Sequence, residues 1–298
     1  MKARSCSVAV IGAGNMGGAM AERLCGQDWS VVVCDIDPVR QQQALDAGAE
    51  LADAPFLAAG ALAQDGVLVV CVVDAAQSNE VLFGERGAAA NLRAGQTVML
   101  CPTIAPPETE AIATRLAALG VGCIDAPMSG GPARARDGSM SLMLAAPADL
   151  LLRHARLLEC LSSRRYVISE RMGDGARTKL VNNLLAGINL VGAAEVLALA
   201  ERLGLDLSTT LDVIEQSSGQ SWIGSDRMRR AIAGDFEPRA HLTLLEKDTR
   251  LAIEAAVSAG FEGPLGARAA ESFAQAHAAG LAGWDDAVLL RWLRERGR

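Results

Sequence analysis

The hydrophobic residues in the first half of the chain form short continuous runs that are separated by small and polar residues. Continuous runs of this kind are typical of strands buried on both faces of a parallel sheet. Segments with helical spacing, such as residues 107–119, separate the runs and predict an α/β fold with a doubly wound sheet. The predicted strands lie at residues 7–11, 29–34, 67–73, 97–101, the start of 124–132, 141–144 and 166–168.

From Gly173 onward the pattern contains no convincing strand and predicts an all-helical domain. Glycine and proline residues such as Gly204 and Pro238 separate its helices. We therefore predict a Rossmann-type domain over residues 1–170, followed by an all-α domain over residues 171–298 that begins with a central helix. The other predicted helices lie at residues 197–207, 209–217, 227–232, 244–259, 266–279 and 285–294.

The central helix is predicted from the sequence G-D-G-A-R-T-K-L-V-N-N at residues 173–183, which continues almost wholly apolar to Ala200. Lys179 and Asn183 are spaced i and i+4 and therefore share one face. Burying an ammonium on an apolar helix costs free energy, which makes Lys179 a catalytic candidate. The alternative is that Lys179 extends to water near the helix start. The apolar run 184–200 is too short for a bilayer span and indicates a buried helix.

The residues G-A-G-N-M-G at positions 12–17 directly follow the first predicted strand. A strand that enters a glycine turn and then a helix is the context of a dinucleotide-binding loop. Gly12 permits the tight turn, Gly14 the approach of backbone N–H groups to a pyrophosphate, and Gly17 close packing of helix on strand. Asn15 and Met16 complete this predicted cofactor loop.

Asp35 follows the second predicted strand, about 20 residues beyond the glycines, where an acid binds the adenine ribose. A carboxylate there repels a 2′-phosphate, so we predict that Asp35 selects NAD over NADP. The alternative is a plain turn acid in D-I-D-P. Asp37 adds negative charge, and the nearest cation, Arg40, lies beyond Pro38.

Ligands of a doubly wound sheet bind beyond the carboxyl ends of its strands. There we place the loops 74–77 and 102–103, with Val73, Asp74 and Thr103 as cofactor contacts and Thr103 also near the substrate. The segment 129–131, Ser-Gly-Gly, offers a hydroxyl and backbone N–H groups to a carboxylate, although a flexible turn explains it equally well.

Composition excludes several classes of function. A net charge of -7 over 298 residues argues against nucleic-acid binding. The seven cysteines form no C-x-x-C pair, and no room for a signal peptide precedes the glycines, so we expect a reduced cytoplasm. The histidines His154, His241 and His277 have no metal-binding spacing, and we predict no metal.

Four blocks in order resemble the β-hydroxyacid dehydrogenases, the family that includes 3-hydroxyisobutyrate dehydrogenase, tartronate semialdehyde reductase and L-threonate dehydrogenase. The blocks are G-A-G-N-M-G (12–17), D-A-P-M-S-G-G-P (125–132), G-D-G-A-R-T-K-L-V-N-N (173–183) and E-K-D-T-R-L-A (246–252). They span almost the whole chain.

The resemblance implies a role for each matching residue. It implies that Lys179 exchanges the proton of the substrate hydroxyl and that Asn183 holds substrate and lysine. Residues Ser129, Gly130 and Gly131 correspond to the carboxylate cradle. Lys247 resembles a lysine that reaches the nicotinamide side, although Glu246-Lys247-Asp248 alone indicates ordinary solvated surface. The family also implies a site between the domains and a homo-oligomer, either a dimer or a tetramer.

Three departures from the family pattern affect the substrate side. Cys101-Pro102 replaces residues with hydroxyl groups before Thr103. His241 stands where an aromatic residue is common, so we assign it to the substrate pocket. Ala145-Ala146 replaces a glycine pair, which we interpret as structural.

The predicted function is an NAD-dependent dehydrogenase of a small hydroxy acid, with Lys179 as acid/base. Residues 75–95 resemble the L-threonate branch and residues 179–183 the 3-hydroxyisobutyrate pattern. One alternative is a reductase of short aldehyde acids such as tartronate semialdehyde, succinic semialdehyde or glyoxylate; this group usually prefers NADP, and Ile36 disfavours it. Another is an inactive NAD-binding regulatory protein. Imine reductases share the fold, but Lys179 disfavours them.

Overall fold

A computed structural model of the chain describes residues 6–296. Its contacts divide the chain into two units, Met1–Lys179 and Leu180–Arg298, with the division inside the longest helix. The domain boundary that we predict near residue 170 stays a prediction.

The first unit contains a sheet of nine strands in the order β3-β2-β1-β4-β5-β6-β8-β7, with β9 paired to the other side of β8. Pairing is parallel except where β8 meets β6 and β7. The strands are β1 (Cys6–Ile11), β2 (Val31–Cys34), β3 (Glu50–Leu51), β4 (Leu62–Val70), β5 (Thr97–Leu100), β6 (Gly122–Asp125), β7 (Met128–Ser129), β8 (Ser141–Ala145) and β9 (Arg164–Ser169). The predicted Rossmann-type doubly wound sheet is therefore confirmed.

Helices cover both faces of this sheet. They are α1 (Asn15–Cys25), α2 (Pro38–Asp46), α3 (Pro55–Ala61), α4 (Ala75–Phe83), α5 (Pro106–Ala117), α6 (Gly131–Asp137), α7 (Ala148–Arg153) and α8 (Ala155–Leu161). Successive strand side chains enter different cores: Val8 and Val10 belong to one hydrophobic cluster, and Ala9 and Ile11 to the other. This two-sided burial explains why the sequence has continuous apolar runs and not alternating ones.

Two predicted boundaries in this unit are wrong. Strand β4 begins at Leu62 and ends at Val70, whereas the apolar run predicted residues 67–73. Leu62 pairs with Cys6 of β1, and the partly polar residues after it lie in a register shift before the pairing resumes at Val67. Residues 75–77 are helical and not loop, because the Asp74 carboxylate accepts the N–H of Gln77 and caps α4.

The second unit is helical, and between residues 180 and 296 its only pairing of strand type is an isolated bridge between His241 and Asp285. Its helices are the remainder of α9 (Asp174–Arg202), α10 (Leu207–Glu215), α11 (Trp222–Ile232), α12 (Leu242–Ser258), α13 (Pro264–Ala276) and α14 (Leu289–Glu295), with a π turn at His277–Leu281 and a 3₁₀ turn at Asp286–Val288. The helix predicted at 197–207 is therefore the end of α9 followed by the start of α10.

Helix α9 differs from the buried helix that we predict. It has 29 residues and is long and apolar enough to cross a membrane by length and composition alone. Only 39% of its apolar 18-residue stretch is buried within the protein. Its exposed side carries Val181, Leu185, Val196 and Leu199. The sequence could not show this, because α9 is apolar on every side and gives no pattern that distinguishes a covered face.

Candidate active site

A glycine loop joins β1 to α1 and leaves space where a dinucleotide phosphate would lie. Gly12 has φ 89°, and a Cβ there would lie 2.6 Å from the carbonyl oxygen of Cys71. A Cβ on Gly17 would lie 1.9 Å from the carbonyl oxygen of Gly12, which no side chain could tolerate. At Gly14, by contrast, no other atom of residues 6–296 lies within 4 Å of the position that a Cβ would take. Met16 and Asn15 begin α1 beside this opening. Because a helix start favours phosphate, the loop fits a nicotinamide dinucleotide.

The carboxylate of Asp35 lies beside this loop. Its Oδ2 accepts the N–H of Ala13 at 2.5 Å, and its Oδ1 accepts the N–H of Asp37 at 2.8 Å. A carboxylate can accept about four hydrogen bonds, so these two leave capacity for ribose hydroxyls. The position supports the predicted choice of cofactor, which stays a prediction.

Arg40 is also close to the glycine loop, although the sequence places it beyond Pro38. Its guanidinium donates to the Oδ1 of Asn15 at 3.1 Å. Pro38 is the first residue of α2, and the Asp37 carboxylate caps this helix by accepting the N–H of Val39. The first turn of α2 therefore directs Arg40 back towards the loop. The Asp-Pro helix start was the sequence signal for this return.

The predicted cofactor contacts at the ends of β4 and β5 lie outside regular strand. Val73 is 47% exposed, and its N–H donates to the Oε1 of Gln77 at 3.0 Å. The carboxylate of Asp74 caps α4. Thr103 lies half-buried in the segment between β5 and α5. Their contact with a cofactor stays a prediction.

The segment Ser129 to Gly131 forms a defined turn between β7 and α6. Gly130 and Gly131 have φ 130° and 74°, a left-handed backbone that favours glycine. A Cβ on Gly130 would lie 2.9 Å from the Cδ of Arg134, whereas no atom of residues 6–296 lies within 4 Å of the Cβ position at Gly131. The turn is therefore closed at Gly130 and open at Gly131.

Lys179 lies in the second turn of α9 and is 8% exposed. This burial does not agree with the alternative in which its side chain extends to water. The outer side of the same helix start is held by charged pairs: Arg177 contacts Glu110 at 2.6 Å and Asp174 at 2.9 Å. An amine buried on a fixed helix is a group whose protonation the protein environment can control.

Three polar side chains form a connected group in the second unit, which we call the Asn183 triad: Asn183, Asp248 and Lys247. The Asn183 amide donates to the Oδ2 of Asp248 at 2.5 Å, and the Nζ of Lys247 lies 2.7 Å from its Oδ1. Asn183 and Asp248 are 7% and 6% exposed. The expectation of a solvated charged cluster is therefore wrong for Asp248, because α12 packs against α9 and buries it.

A glycine makes this approach of α12 to α9 possible. Gly187 lies one turn after Asn183, and a Cβ there would lie 2.6 Å from the Cγ2 of Thr249. Thr249 is fully buried beside Asp248, and its hydroxyl donates to the carbonyl of Leu245 at 2.8 Å. The contact of Gly187 with Thr249 therefore accompanies the hydrogen bond of Asn183 with Asp248.

His241, assigned to the substrate pocket from the sequence, precedes the first residue of α12 and is exposed. The other side chain of the charged block, Glu246, pairs with His277 at 2.7 Å. Within residues 6–296, no group of three or more His, Cys, Asp or Glu side chains could hold a metal ion.

Both parts of the chain match models of known protein families. The family model described as the NAD binding domain of 6-phosphogluconate dehydrogenase matches residues 7–169. The model described as NAD-binding of NADP-dependent 3-hydroxyisobutyrate dehydrogenase matches residues 173–293. The chain is 35% identical to an L-threonate dehydrogenase of Cupriavidus necator over 96% of each chain. It is 33% identical to a 3-hydroxyisobutyrate dehydrogenase of Pseudomonas aeruginosa over 89% of this chain and 90% of the relative.

A solved structure extends the similarity to three dimensions. The crystal structure of a 3-hydroxyisobutyrate dehydrogenase from Salmonella typhimurium has a TM-score of 0.89 and 33% identity, covering 96% of this chain and 99% of that one. Fold, glycine loop and relatives together define an NAD-dependent oxidoreductase that acts on CH–OH groups of hydroxy acids. The chain belongs to the β-hydroxyacid dehydrogenase family, as the four sequence blocks indicate.

Proposed function

We propose that the protein oxidises the hydroxyl of a small hydroxy acid with Lys179 as acid/base, and that its substrate is a four-carbon sugar acid such as L-threonate. The burial of Lys179 on α9 carries this proposal. The substrate class rests on the L-threonate dehydrogenases among the relatives, and 3-hydroxyisobutyrate is the second candidate.

Lys179 supplies the proton transfer of the reaction. When bound, NAD supplies the acceptor for the hydride that leaves the carbinol carbon. The neutral amine of Lys179 accepts the hydroxyl proton as the carbon–oxygen double bond forms, and in the reverse direction the ammonium returns it. The apolar sequence of α9 supports this role, because burial favours the neutral form of an amine.

Ser129, Gly130 and Gly131 bind the substrate carboxylate in this proposal. Gly130 and Gly131 have no side chains beside their backbone N–H groups, and the exposed N–H groups of such a turn support the binding of an anion. The open position at Gly131 gives a carboxylate room to approach.

Asn183 orients the substrate, and the other members of its triad support it. Asp248 accepts one amide hydrogen of Asn183 and thereby fixes the direction of the amide. Lys247 contacts the cofactor, and His241 and Thr103 line the substrate side. The family resemblance supports these last three roles.

Asp35 gives the preference for NAD. Its carboxylate is held beside the glycine loop by two backbone N–H groups. It accepts hydrogen bonds from ribose hydroxyls and repels a 2′-phosphate. Gly12, Gly14, Asn15, Met16 and Gly17 hold the pyrophosphate, with Val73 and Asp74 on the nicotinamide side.

The substrate is tested by following NADH absorbance with NAD and a panel of L-threonate, D-threonate, 3-hydroxyisobutyrate, L-serine, glycerate and 4-hydroxybutyrate. We expect the highest kcat/KM with L-threonate and a clear loss with D-threonate, its matched stereochemical control. A highest kcat/KM with 3-hydroxyisobutyrate would select the second candidate. No turnover of any acid by a protein that still binds NADH would contradict the proposal and favour the regulatory alternative.

We also propose that the protein is a cytoplasmic homo-oligomer in which the exposed side of α9 meets a second copy. This side presents the apolar side chains of Val181, Leu185, Val196 and Leu199, which are 46–72% exposed. Large apolar side chains exposed along one side of a helix support an interaction site there. Leu199→Glu should reduce the mass of the assembly measured by sedimentation, whereas Arg202→Glu on the same helix should leave this mass unchanged. Equal masses for the wild type and Leu199→Glu would contradict this interface.

A further inference from the structure

A buried carboxylate accepts backbone hydrogen bonds from the start of α9. Asp125 is the last residue of β6 and is 2% exposed. Its Oδ2 accepts the N–H of Ala176 at 3.1 Å, and the backbone N–H groups of Gly173 and Gly175 also donate to its carboxylate. A buried carboxylate needs such partners, and the first turn of a helix supplies N–H groups that have no acceptor within the helix. Asp125 therefore holds the helix start from inside the first unit.

The helix start lies very close to the sheet. A Cβ on Gly175 would lie 2.9 Å from the Oδ2 of Asp125 and 2.8 Å from the carbonyl oxygen of Met143 in β8. A residue larger than glycine would have to move the first turn away from both strands. The first turn of α9 is thus fixed against the ends of β6 and β8.

The two elements that meet at Asp125 carry the chemistry proposed above. Beyond Asp125 the chain reaches Ser129 within four residues and continues into the left-handed turn. On α9, Lys179 follows Gly175 by four residues, which is about one helical turn. The position of Lys179 relative to this turn therefore depends on how α9 is attached to β6.

We propose that Asp125 is a positioning residue that fixes Lys179 relative to the Ser129 to Gly131 turn by anchoring the first turn of α9. The proposal rests on the function assigned to Lys179. The position of the Asp125 carboxylate also favours its negative charge, because it lies at the positive end of the dipole of α9. Burial raises the pKa of Asp125 to about 6, while the three backbone hydrogen bonds act in the opposite direction. The carboxylate is ionised at neutral pH and can accept all three.

The test is Asp125→Asn, which keeps the size of the side chain but turns an N–H₂ towards backbone donors. We expect the single-turnover rate of NADH formation from NAD and L-threonate, per NADH-binding site, to fall about 10- to 100-fold, because small misplacement of a catalytic group has effects of this size. The Kd of NADH should change less than about twofold. A merely less stable enzyme would have fewer binding sites but an unchanged rate per site. If Asp125→Asn does not fold, Asp125→Ser replaces it, because a hydroxyl still accepts one helix N–H.

Asp174→Asn is the matched control. It removes a carboxylate from the same turn, but one that pairs outward with Arg171 and Arg177. We expect a loss of stability and a rate per site near that of the wild type. A rate as low as that of Asp125→Asn would overturn the specific role of Asp125.

Two further measurements separate this inference from the proposed function. Lys179→Ala in the same series tests the function: a rate near wild type removes the basis for both. If Lys179→Ala is slow and Asp125→Asn transfers hydride at the wild-type rate, the positioning role alone is overturned. Hydrogen exchange of residues 173–176 needs no substrate. It should be at least about tenfold faster in Asp125→Asn than in the wild type, and equal exchange would overturn the anchor.

Discussion

The side-chain amide of Asn183 donates to the carboxylate of Asp248, with 2.5 Å between Nδ2 and Oδ2. The other oxygen of this carboxylate pairs with Lys247 at 2.7 Å. Asp248 thus joins two residues that the family resemblance implicates in the site, and it is itself buried. If one member is removed, the other side chains lose the hydrogen bonds that replace their contacts with water. We therefore expect a change at any one of the three residues to affect stability and activity together.

Asp248→Asn tests the triad. The new amide cannot accept from both Asn183 and Lys247, so we expect the free energy of unfolding to fall by about 1–3 kcal/mol and kcat/KM for L-threonate to fall about tenfold or more. Glu246→Gln, on the same helix, is the control and should stay within about 0.5 kcal/mol of the wild type, because Glu246 forms a more exposed pair. Similar results for both variants in urea unfolding and turnover would contradict the role of Asp248.

Gly187→Ala tests the close approach of α9 and α12. The added Cβ would meet the Cγ2 of Thr249 at 2.6 Å, and we expect a loss of about 1–3 kcal/mol although alanine favours helices. Thr249→Ser removes this methyl group and keeps the hydroxyl that donates to Leu245. The double variant should therefore recover part of the stability lost by Gly187→Ala. Additive losses in the double-mutant cycle would show that the two residues do not interact.

Asp35→Ser tests the choice of cofactor. Without the carboxylate, the Arg40 guanidinium beside Asn15 is the nearby cation that can attract a 2′-phosphate. We expect the ratio of kcat/KM with NADP to that with NAD to rise about tenfold or more, a change of about 1.4 kcal/mol in relative binding. Arg40→Met in the same background should remove the gain. A wild-type enzyme that prefers NADP would contradict the role of Asp35.

The burial of His154 predicts that the free energy of unfolding falls as the pH is lowered below about 6.5. Burial lowers the pKa of this histidine, with a smaller effect of Arg153, and its Nε2 lies 2.8 Å from the Oγ1 of Thr97. The unfolded chain binds the proton at about pH 6.5 and the folded chain only at lower pH. The contribution of His154 is therefore complete above about pH 6.5 and declines as the pH falls, by up to about 1.4 kcal/mol per unit.

His154→Gln provides the comparison, because glutamine does not titrate. The difference in free energy of unfolding between wild type and variant should be smaller at about pH 5.5 than at about pH 7.5. A difference that is the same at both pH values would contradict the lowered pKa, because it would show that His154 has the same pKa in the folded and unfolded states.

The sheet and the glycine loop could be predicted because their signals are local. Residues 7–17 contain a buried strand, a turn that needs glycine and a helix start in one continuous segment. The start of β4 could not be predicted, because the polar residues Gln64 and Asp65 lie in a register shift between the two parts of the strand that pair with β1. Hydrophobic runs identify the buried part of a strand and not its ends.

The polar partners of the site could not be predicted, because they come from distant parts of the chain. Asp248 lies 65 residues from Asn183, and Arg40 lies 25 residues from Asn15. One sequence signal was available: the 28 basic residues include only three lysines, at positions 2, 179 and 247. Because arginine does not lose its proton near neutral pH, a lysine in an arginine-rich chain indicates a need for lysine chemistry.

The most direct test of the proposed function is turnover of L-threonate by Lys179→Ala and Lys179→Arg. Alanine removes the amine, and arginine keeps the positive charge but cannot accept the hydroxyl proton. Both variants should still bind NADH with a Kd close to that of the wild type. Both should lose about 10²- to 10⁴-fold in kcat. Turnover near the wild-type rate in either variant would contradict the account, because it would show that the proton leaves the substrate without the amine of Lys179.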